Sequence, residues 1–295
     1  MERLSQNWNR LMADLVEIFE VGPRDGLQNE AAAVTTADKI HLTNLLSNCG
    51  FRRIEIGSFV SPKWVPKMAD SVDVFAGIDR VSGISYAALT PNMQGFDGAV
   101  RAKADEIAIF ASASEGFSKA NINCTIDESL DRFAPVSEAA NAAGIPMRGY
   151  VSCVTDCPYD GAVEPSAVAR VVRALLDMGA YEVSLGDTVG QGTPESVQAM
   201  LEAVLQVAEP GQLAGHFHDT GGQALNNIET SIGLGLRVFD SSIAGLGGCP
   251  YAPGASGNVA TENVINMLNE KGFETGLDLE KINQASDYAK KITHA

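Results

Sequence analysis

Short runs rich in β-branched and aromatic residues alternate with longer amphipathic stretches along the whole chain. Eight of the short runs read as strands, at 15–21 (LVEIFEV), 52–58 (RRIEIGS), 84–90 (ISYAALT), 106–112 (EIAIFAS), 147–153 (MRGYVSC), 181–187 (YEVSLGD), 213–219 (LAGHFHD) and 238–245 (VFDSSIAG). Between them, stretches such as TADKIHLTNLLSNCG and EPSAVARVVRALLDMGA carry apolar residues three and four apart, the spacing of one helix face. Gly50 and Gly179 stand where helix C-caps are expected. A strand then a helix, eight times over, predicts an α/β fold of the (β/α)8 TIM-barrel type. A glycine-rich loop follows the eighth strand, and a helical extension closes the chain. The competitor is a doubly wound open sheet, which calls for a glycine-rich phosphate turn after an early strand, and none is evident. No Pro- or Ser-rich linker or composition shift divides the chain, so residues 1–295 are expected to form a single catalytic domain.

Composition narrows the function. The net charge of −16 argues against a nucleic-acid partner, which needs clustered Lys and Arg. An anionic small substrate is still allowed, because it responds to local charge. The five cysteines, Cys49, Cys124, Cys153, Cys157 and Cys249, are odd in number and scattered, which fits a reducing compartment better than a disulfide scaffold. Cys153 and Cys157 have no matching second pair for a metal clip and read as structural. No stretch approaches the ~18 apolar residues of a membrane span, and the N-terminal segment lacks the apolar core of a signal peptide. A cytoplasmic enzyme with no membrane partner is the expectation.

Barrel enzymes carry their chemistry at the C-terminal ends of the strands, and the unusual polar residues fall there. GPRDGLQNE follows the first strand, Glu55 lies late in the second, and Asp187 ends the sixth. His216 and His218 end the seventh, and GLGGCPYAPGASGN follows the eighth. Two residues apart in a strand, His216 and His218 project to the same side. They read either as hydrogen-bonded core histidines or, by preference, as a pair of metal ligands. Only His41 and His294 remain in the chain, too few for an all-histidine site of the amidohydrolase kind. Oxygen donors must then complete the shell, which favours Mg²⁺ or Mn²⁺. Asp25 is the obvious donor, although Arg24 and Asp25 before Gly26 also suit a charged turn. Glu55 should point into the barrel if Ile54 and Ile56 face the helices, and a buried carboxylate there needs a partner. Cys249 is either incidental or a proton donor in its loop. Asn258 suits a helix N-cap and a metal ligand equally.

VGPRDGLQNE, IEIGSFVSPKWVPKMAD, NINCTIDES, RGYVSCV, YEVSLGDTVG and DSSIAGLGGCPYAPGASGNVATENV together resemble the hydroxymethylglutaryl-CoA lyases, over about residues 15 to 275. RDG alone is shared with isopropylmalate and homocitrate synthases, whereas GSFVSPKWVP and AGLGGCPYAPGASGN are specific to the lyases. The resemblance implies metal-dependent cleavage of 3-hydroxy-3-methylglutaryl-CoA to acetoacetate and acetyl-CoA. It implies Asp25, His216, His218 and Asn258 as ligands, with Glu55 supporting the metal shell. Arg24 would face the thioester carbonyl, and Cys249 would sit in the loop that closes over substrate. Asp187 would lie beside the reacting carbons, with Gln28, Tyr150 and Ser184 near, and Asn121 in a substrate-contacting position. The general base would be Asp187 or a ligand histidine such as His216. A homodimer is implied as well. Gly221 and Gly222 replace an aromatic expected after HDT, which suggests room for a bulkier 3-hydroxyglutaryl-type acyl group. Other readings are an acyl-CoA/2-oxo-acid condensing synthase and a non-catalytic CoA- or metal-binding barrel. The first usually carries a large C-terminal region, and the second has no need of Arg24, Asp187 and Cys249 together.

Overall fold

The computed structural model describes residues 15–247 and 257–293. Eight parallel strands close a barrel: β1 (Glu17–Glu20), β2 (Arg53–Ser58), β3 (Ser85–Leu89), β4 (Glu106–Ser112), β5 (Met147–Ser152), β6 (Glu182–Asp187), β7 (Leu213–Phe217) and β8 (Val238–Ser241). Each strand pairs with its neighbours in sequence, and β8 returns to β1. All eight expected strands are present. The eighth is shorter than its expected span because Ser242 donates its N–H to Val259 and Ala244 turns at φ 59°. Around the barrel lie α1 (Thr36–Ser47), α2 (Ser71–Gly77), α3 (Met93–Arg101), α4 (Glu115–Ile122), α5 (Ile126–Ala143), α6 (Pro165–Asp177), α7 (Pro194–Val204), α8 (Ala224–Gly233) and α9 (Thr261–Glu270). The C-terminal extension is α10 (Leu279–Thr293), which returns to α1 through the Tyr288 hydroxyl on Asp38 (2.7 Å) and the Tyr288 ring edge on His41. Among the described residues no helix is long and apolar enough to cross a membrane.

Alternation along the strands separates two environments. Ile54 and Ile56 of β2, Met147 and Val151 of β5, and Val183 and Leu185 of β6 all belong to the core shared with the helices. α6 meets this layer closely: fully buried Leu175 packs where a Cβ on Gly149 would come within 3.0 Å of it. The opposite face of the strands fills the barrel with charge instead of stacked aliphatic residues. Arg53 pairs with Glu17 (2.6 Å) and Glu182 (2.9 Å), and Arg148 pairs with Glu182 and Asp240 (both 2.7 Å). The Phe19 ring lies against both guanidinium groups, at 4.9 Å and 4.5 Å. These bonds join β1, β2, β5, β6 and β8 across the barrel, so closure of the sheet and neutralisation of its interior depend on each other.

Removing the apolar contact tests the outer layer separately. Leu175→Ala is expected to cost about 2–5 kcal/mol in urea unfolding, with the bonds inside the barrel left intact.

Candidate active site

The turn after β1 sets the site. Gly22–Gly26 forms a single wide π-helical turn in which the Val21 carbonyl accepts from the N–H groups of Arg24 (3.1 Å), Asp25 (2.7 Å) and Gly26 (3.3 Å). Glu20, fully buried at the end of β1, anchors it. Its Oε1 accepts from the N–H groups of Gly22 and Ile243 (both 2.8 Å), and its Oε2 from the Thr261 hydroxyl (2.7 Å). A Cβ on Gly26 would come within 2.7 Å of the Leu246 side chain, so only glycine lets the turn close against the segment after β8. The π-turn, that segment and the start of α9 thus form one unit.

Arg24 is almost fully buried and serves two carboxylates. Its Nε and Nη2 each lie 2.5 Å from Glu55 Oε2, and its Nη1 lies 2.5 Å from Asp25 Oδ1. Glu55 points into the barrel as the alternation predicts, and the Tyr150 hydroxyl also donates to it (3.3 Å). Burial pushes the Glu55 carboxyl up, while the guanidinium pulls against it. Asn258, paired with His218 across an isolated β-bridge, donates its amide to Asp25 Oδ2 (2.8 Å). His216 and His218 project together from the end of β7, rings 5.4 Å apart. Single donor atoms of Asp25, His216 and His218 lie within 4.8 Å of one another, the one such His/Cys/Asp/Glu group among the described residues.

The electrostatics suit a divalent cation at this point. Burial raises the Asp25 pKa, but Arg24, both imidazoles and the Asn258 amide outweigh it and hold the carboxylate at about 2. Burial and the neighbouring His216 lower His218 to about 4, so it is a neutral imidazole at physiological pH. Its Nδ1 is buried with no hydrogen-bond partner among the described residues. One guanidinium shared by two carboxylates leaves excess negative charge beside two imidazole faces. Anionic oxygen and neutral nitrogen donors together match the ligand set of a transition-metal or magnesium site.

The cluster opens into a cavity of about 950 Å³. Arg24, Asp25, Gln28, Asn121, Tyr150, His216 and His218 all line it, as expected of a substrate site. Gln28 Oε1 is buried without a partner there. Leu89, Phe110, Phe117, Ile122 and Phe133 form an apolar wall on the side away from the cluster. Two expected substrate neighbours do not reach the cavity. Asp187 shares the outward face of β6 with Val183 and Leu185. Its oxygens accept from the Thr155 hydroxyl (3.0 Å) and the N–H groups of Gly190 (3.1 Å) and Gly192 (2.9 Å). It shapes the loop after β6, and its side chain is not among those that line the cavity. Ser184 faces inward but one layer below, where it donates to Asp240 (2.7 Å). The space expected at Gly221 and Gly222 is absent at Gly221 only, since a Cβ on Gly222 would meet nothing within 4 Å. A Cβ on Gly221 would lie 2.8 Å from the Gly190 carbonyl, and Gly222 turns at φ 69°. Gly221 serves loop packing, and the cavity's apolar room lies along Leu89, Phe110 and Phe133. Cys249 falls outside the described residues.

The sequence reading missed Arg148 and Asp240, which lie beneath the cluster. Both are charged residues inside apolar strand runs, and that alternation was their signal. Trp64 and Asn123 at the cavity wall come from loops and Arg132 from the first turns of α5, and none of them carried a signal.

A family model described as HMGL-like matches residues 15–288. A 3-hydroxy-3-isohexenylglutaryl-CoA/hydroxy-methylglutaryl-CoA lyase of Pseudomonas aeruginosa is 56% identical over 90% of this chain and 89% of its own. A 3-hydroxy-3-methylglutaryl-CoA lyase, cytoplasmic, of Mus musculus is 55% identical over 96% of this chain and 82% of its own. The crystal structure of the HMG-CoA lyase from Brucella melitensis superposes with a TM-score of 0.95 at 60% identity, covering 96% of this chain and all of that one.

Two substitutions test these assignments. Glu20 has its pKa raised from 4.5 to about 7, chiefly by burial. The folded protein therefore holds this proton more tightly than the unfolded chain, and the stabilisation is complete below pH 4.5 and lost as pH rises through 7. Between pH 4.5 and 7 the wild type is expected to lose about 3 kcal/mol relative to Glu20→Gln in urea unfolding; parallel pH profiles would contradict the assignment. Gly221→Ala is expected to cost about 1–3 kcal/mol by overpacking against Gly190, seen as a lowered Tm.

Proposed function

The chain belongs to the HMGL-like family, in which the relatives named above are lyases, and on that premise we propose that it cleaves 3-hydroxy-3-methylglutaryl-CoA to acetoacetate and acetyl-CoA with Mg²⁺ or Mn²⁺ bound. One observation carries the reading. Arg24 and Asp25, adjacent in a rigid turn, bring a fixed cation and a metal-type carboxylate to the same wall as two convergent imidazoles. Cleavage needs both together.

The bond to break lies between the carbinol carbon and the carbon alpha to the thioester. Asp25, His216 and His218 would hold the cation, with Asn258 beside Asp25 as the further donor. A bound divalent cation supplies Lewis acidity to the substrate hydroxyl and eases its deprotonation. The proton must go to a base, either His218, whose Nδ1 has no partner among the described residues, or Asp187. As the carbon–carbon bond opens, its electron pair moves onto the thioester as an enolate. Arg24 keeps N–H donors beyond those spent on Glu55 and Asp25, and its charge is not lost at any working pH. It stabilises the enolate oxygen, and Glu55 and Tyr150 keep the guanidinium from turning away. The enolate carbon then takes a proton, for which Cys249 is the proposed donor. Gln28 and Asn121 offer the polar contacts that orient the acyl group.

A second reading of substrate range rests on the apolar wall of the cavity and on the Pseudomonas aeruginosa relative, whose name includes a branched 3-isohexenyl substrate. Under it, a longer 3-alkyl group lies along Leu89, Phe110 and Phe133. The proposal includes a cytoplasmic setting, which the name of the Mus musculus relative supports, and a homodimer, which light scattering on the purified protein would reject by returning the mass of a single chain.

After stripping with chelator, acetoacetate release from hydroxymethylglutaryl-CoA is expected to stop and to return with Mg²⁺ or Mn²⁺. No release from folded, metal-loaded protein would overturn the reading, and release from the 3-isohexenyl homologue alone would replace it by the second. Arg24→Met is expected to lower kcat by about 10²–10³-fold with the cation retained by elemental analysis. Asp25→Ala is expected to lose the cation itself.

A further inference from the structure

Asp240 lies inside the barrel directly beneath the cation cluster, 2% exposed. Arg148 grips it with two parallel bonds, Nη1 to Oδ2 (3.0 Å) and Nη2 to Oδ1 (2.7 Å), and the Ser184 hydroxyl adds a third at Oδ2 (2.7 Å). Arg148 is itself held by Glu182 through Nε (2.7 Å) and by the Phe19 ring (4.5 Å). The fourth contact on Asp240 is His216 Nδ1, 3.1 Å from Oδ2. A carboxylate clamped by a guanidinium only accepts hydrogen bonds, so the hydrogen at this contact belongs to the imidazole. A neutral imidazole with its hydrogen on Nδ1 keeps its lone pair on Nε2, at the far side of the ring.

We propose that Asp240, clamped by Arg148 and Ser184, is a positioning residue that locks His216 in the Nδ1–H form with Nε2 as the atom that meets the cation. This rests on the cation reading of the site given above. It makes the two histidines unequal. His216 is oriented before any ion arrives, by a column of bonds reaching through β8, β5 and β6. His218 has no such partner at its Nδ1 and adjusts to the ion. A ligand imidazole whose second nitrogen is fixed loses less freedom on binding, and removing such a partner typically weakens metal affinity by about 10–100-fold.

The test begins on unaltered protein. Side-chain ¹⁵N spectra of the four histidines, with His216 identified by the loss of its signals in His216→Asn, are expected to show Nδ1 protonated and Nε2 bare before metal is added. Mg²⁺ is then expected to move the Nε2 signal of His216. An Nε2–H tautomer, or a Mg²⁺ response at Nδ1, would overturn the proposal. If neither Mg²⁺ nor Mn²⁺ changes any histidine signal, the cation reading itself falls, and the tautomer already recorded still reports on Asp240. Asp240→Asn is then titrated with Mn²⁺, following free ion by its EPR signal. A loss of affinity of about 10–100-fold is expected, and affinity equal to wild type would overturn the positioning role. Should this variant fail to fold because Arg148 loses its partner, the wild-type spectra decide.

Discussion

Pairing the arginines inside the barrel is the constraint on which the other features rest. Arg53, Arg148 and Arg24 project into an interior with little water, and an unmatched charge there is strongly destabilising. Most of the matching carboxylates come from other strands: Glu17 and Glu182 for Arg53, Glu182 and Asp240 for Arg148, and Glu55 for Arg24, which also pairs with its neighbour Asp25. No two-stranded fragment could satisfy them, so the ion pairs demand the closed sheet that the apolar outer face only favours. The pairing also ends unevenly. At the C-terminal mouth one guanidinium faces two carboxylates, and that is where two imidazoles meet. The candidate cation site is thus the open end of a charge network whose lower part is structural.

Much of this was legible in the chain because two periodicities are. Strands and helices followed from alternation and from three-and-four spacing, and the barrel from their order. His216, His218 and Glu55 were legible because a polar residue on the inward phase of a strand has to find a partner. The same rule applied to Asp187 gives the opposite result, since it shares its phase with Val183 and Leu185, and the structure follows the phase. Arg148 and Asp240, on the inward phase of β5 and β8, fall under the same rule. What no local rule reaches is contact between loops. Gly221 is a glycine because the Gly190 carbonyl, from the preceding loop, occupies the place of a side chain. Its neighbour in space is more than thirty residues away in sequence, so the pair read as empty room.

The carboxylates near the mouth divide by how their oxygens are occupied. Glu20 and Asp187 each accept three hydrogen bonds from backbone N–H and hydroxyl groups, and both are fully buried. Such a group has its oxygens occupied by backbone and hydroxyl donors, and its effect is to hold backbone segments together. Asp25 accepts from Arg24 and Asn258, remains partly exposed, and faces the cavity with acceptor capacity left. Both Asp25, in the turn after β1, and Asp187, at the end of β6, are aspartates at the C-terminal mouth, and donor count and direction separate them. That difference assigns the chemistry to the turn after β1 and leaves the loop after β6 as its frame. The frame still matters to rate, because a displacement of about 1 Å in a substrate-positioning loop can cost ~10²-fold in turnover. A fall in activity on replacing Asp187 therefore would not by itself make it a base; a catalytic base would shift the pH profile, whereas a frame residue would lower activity at every pH alike.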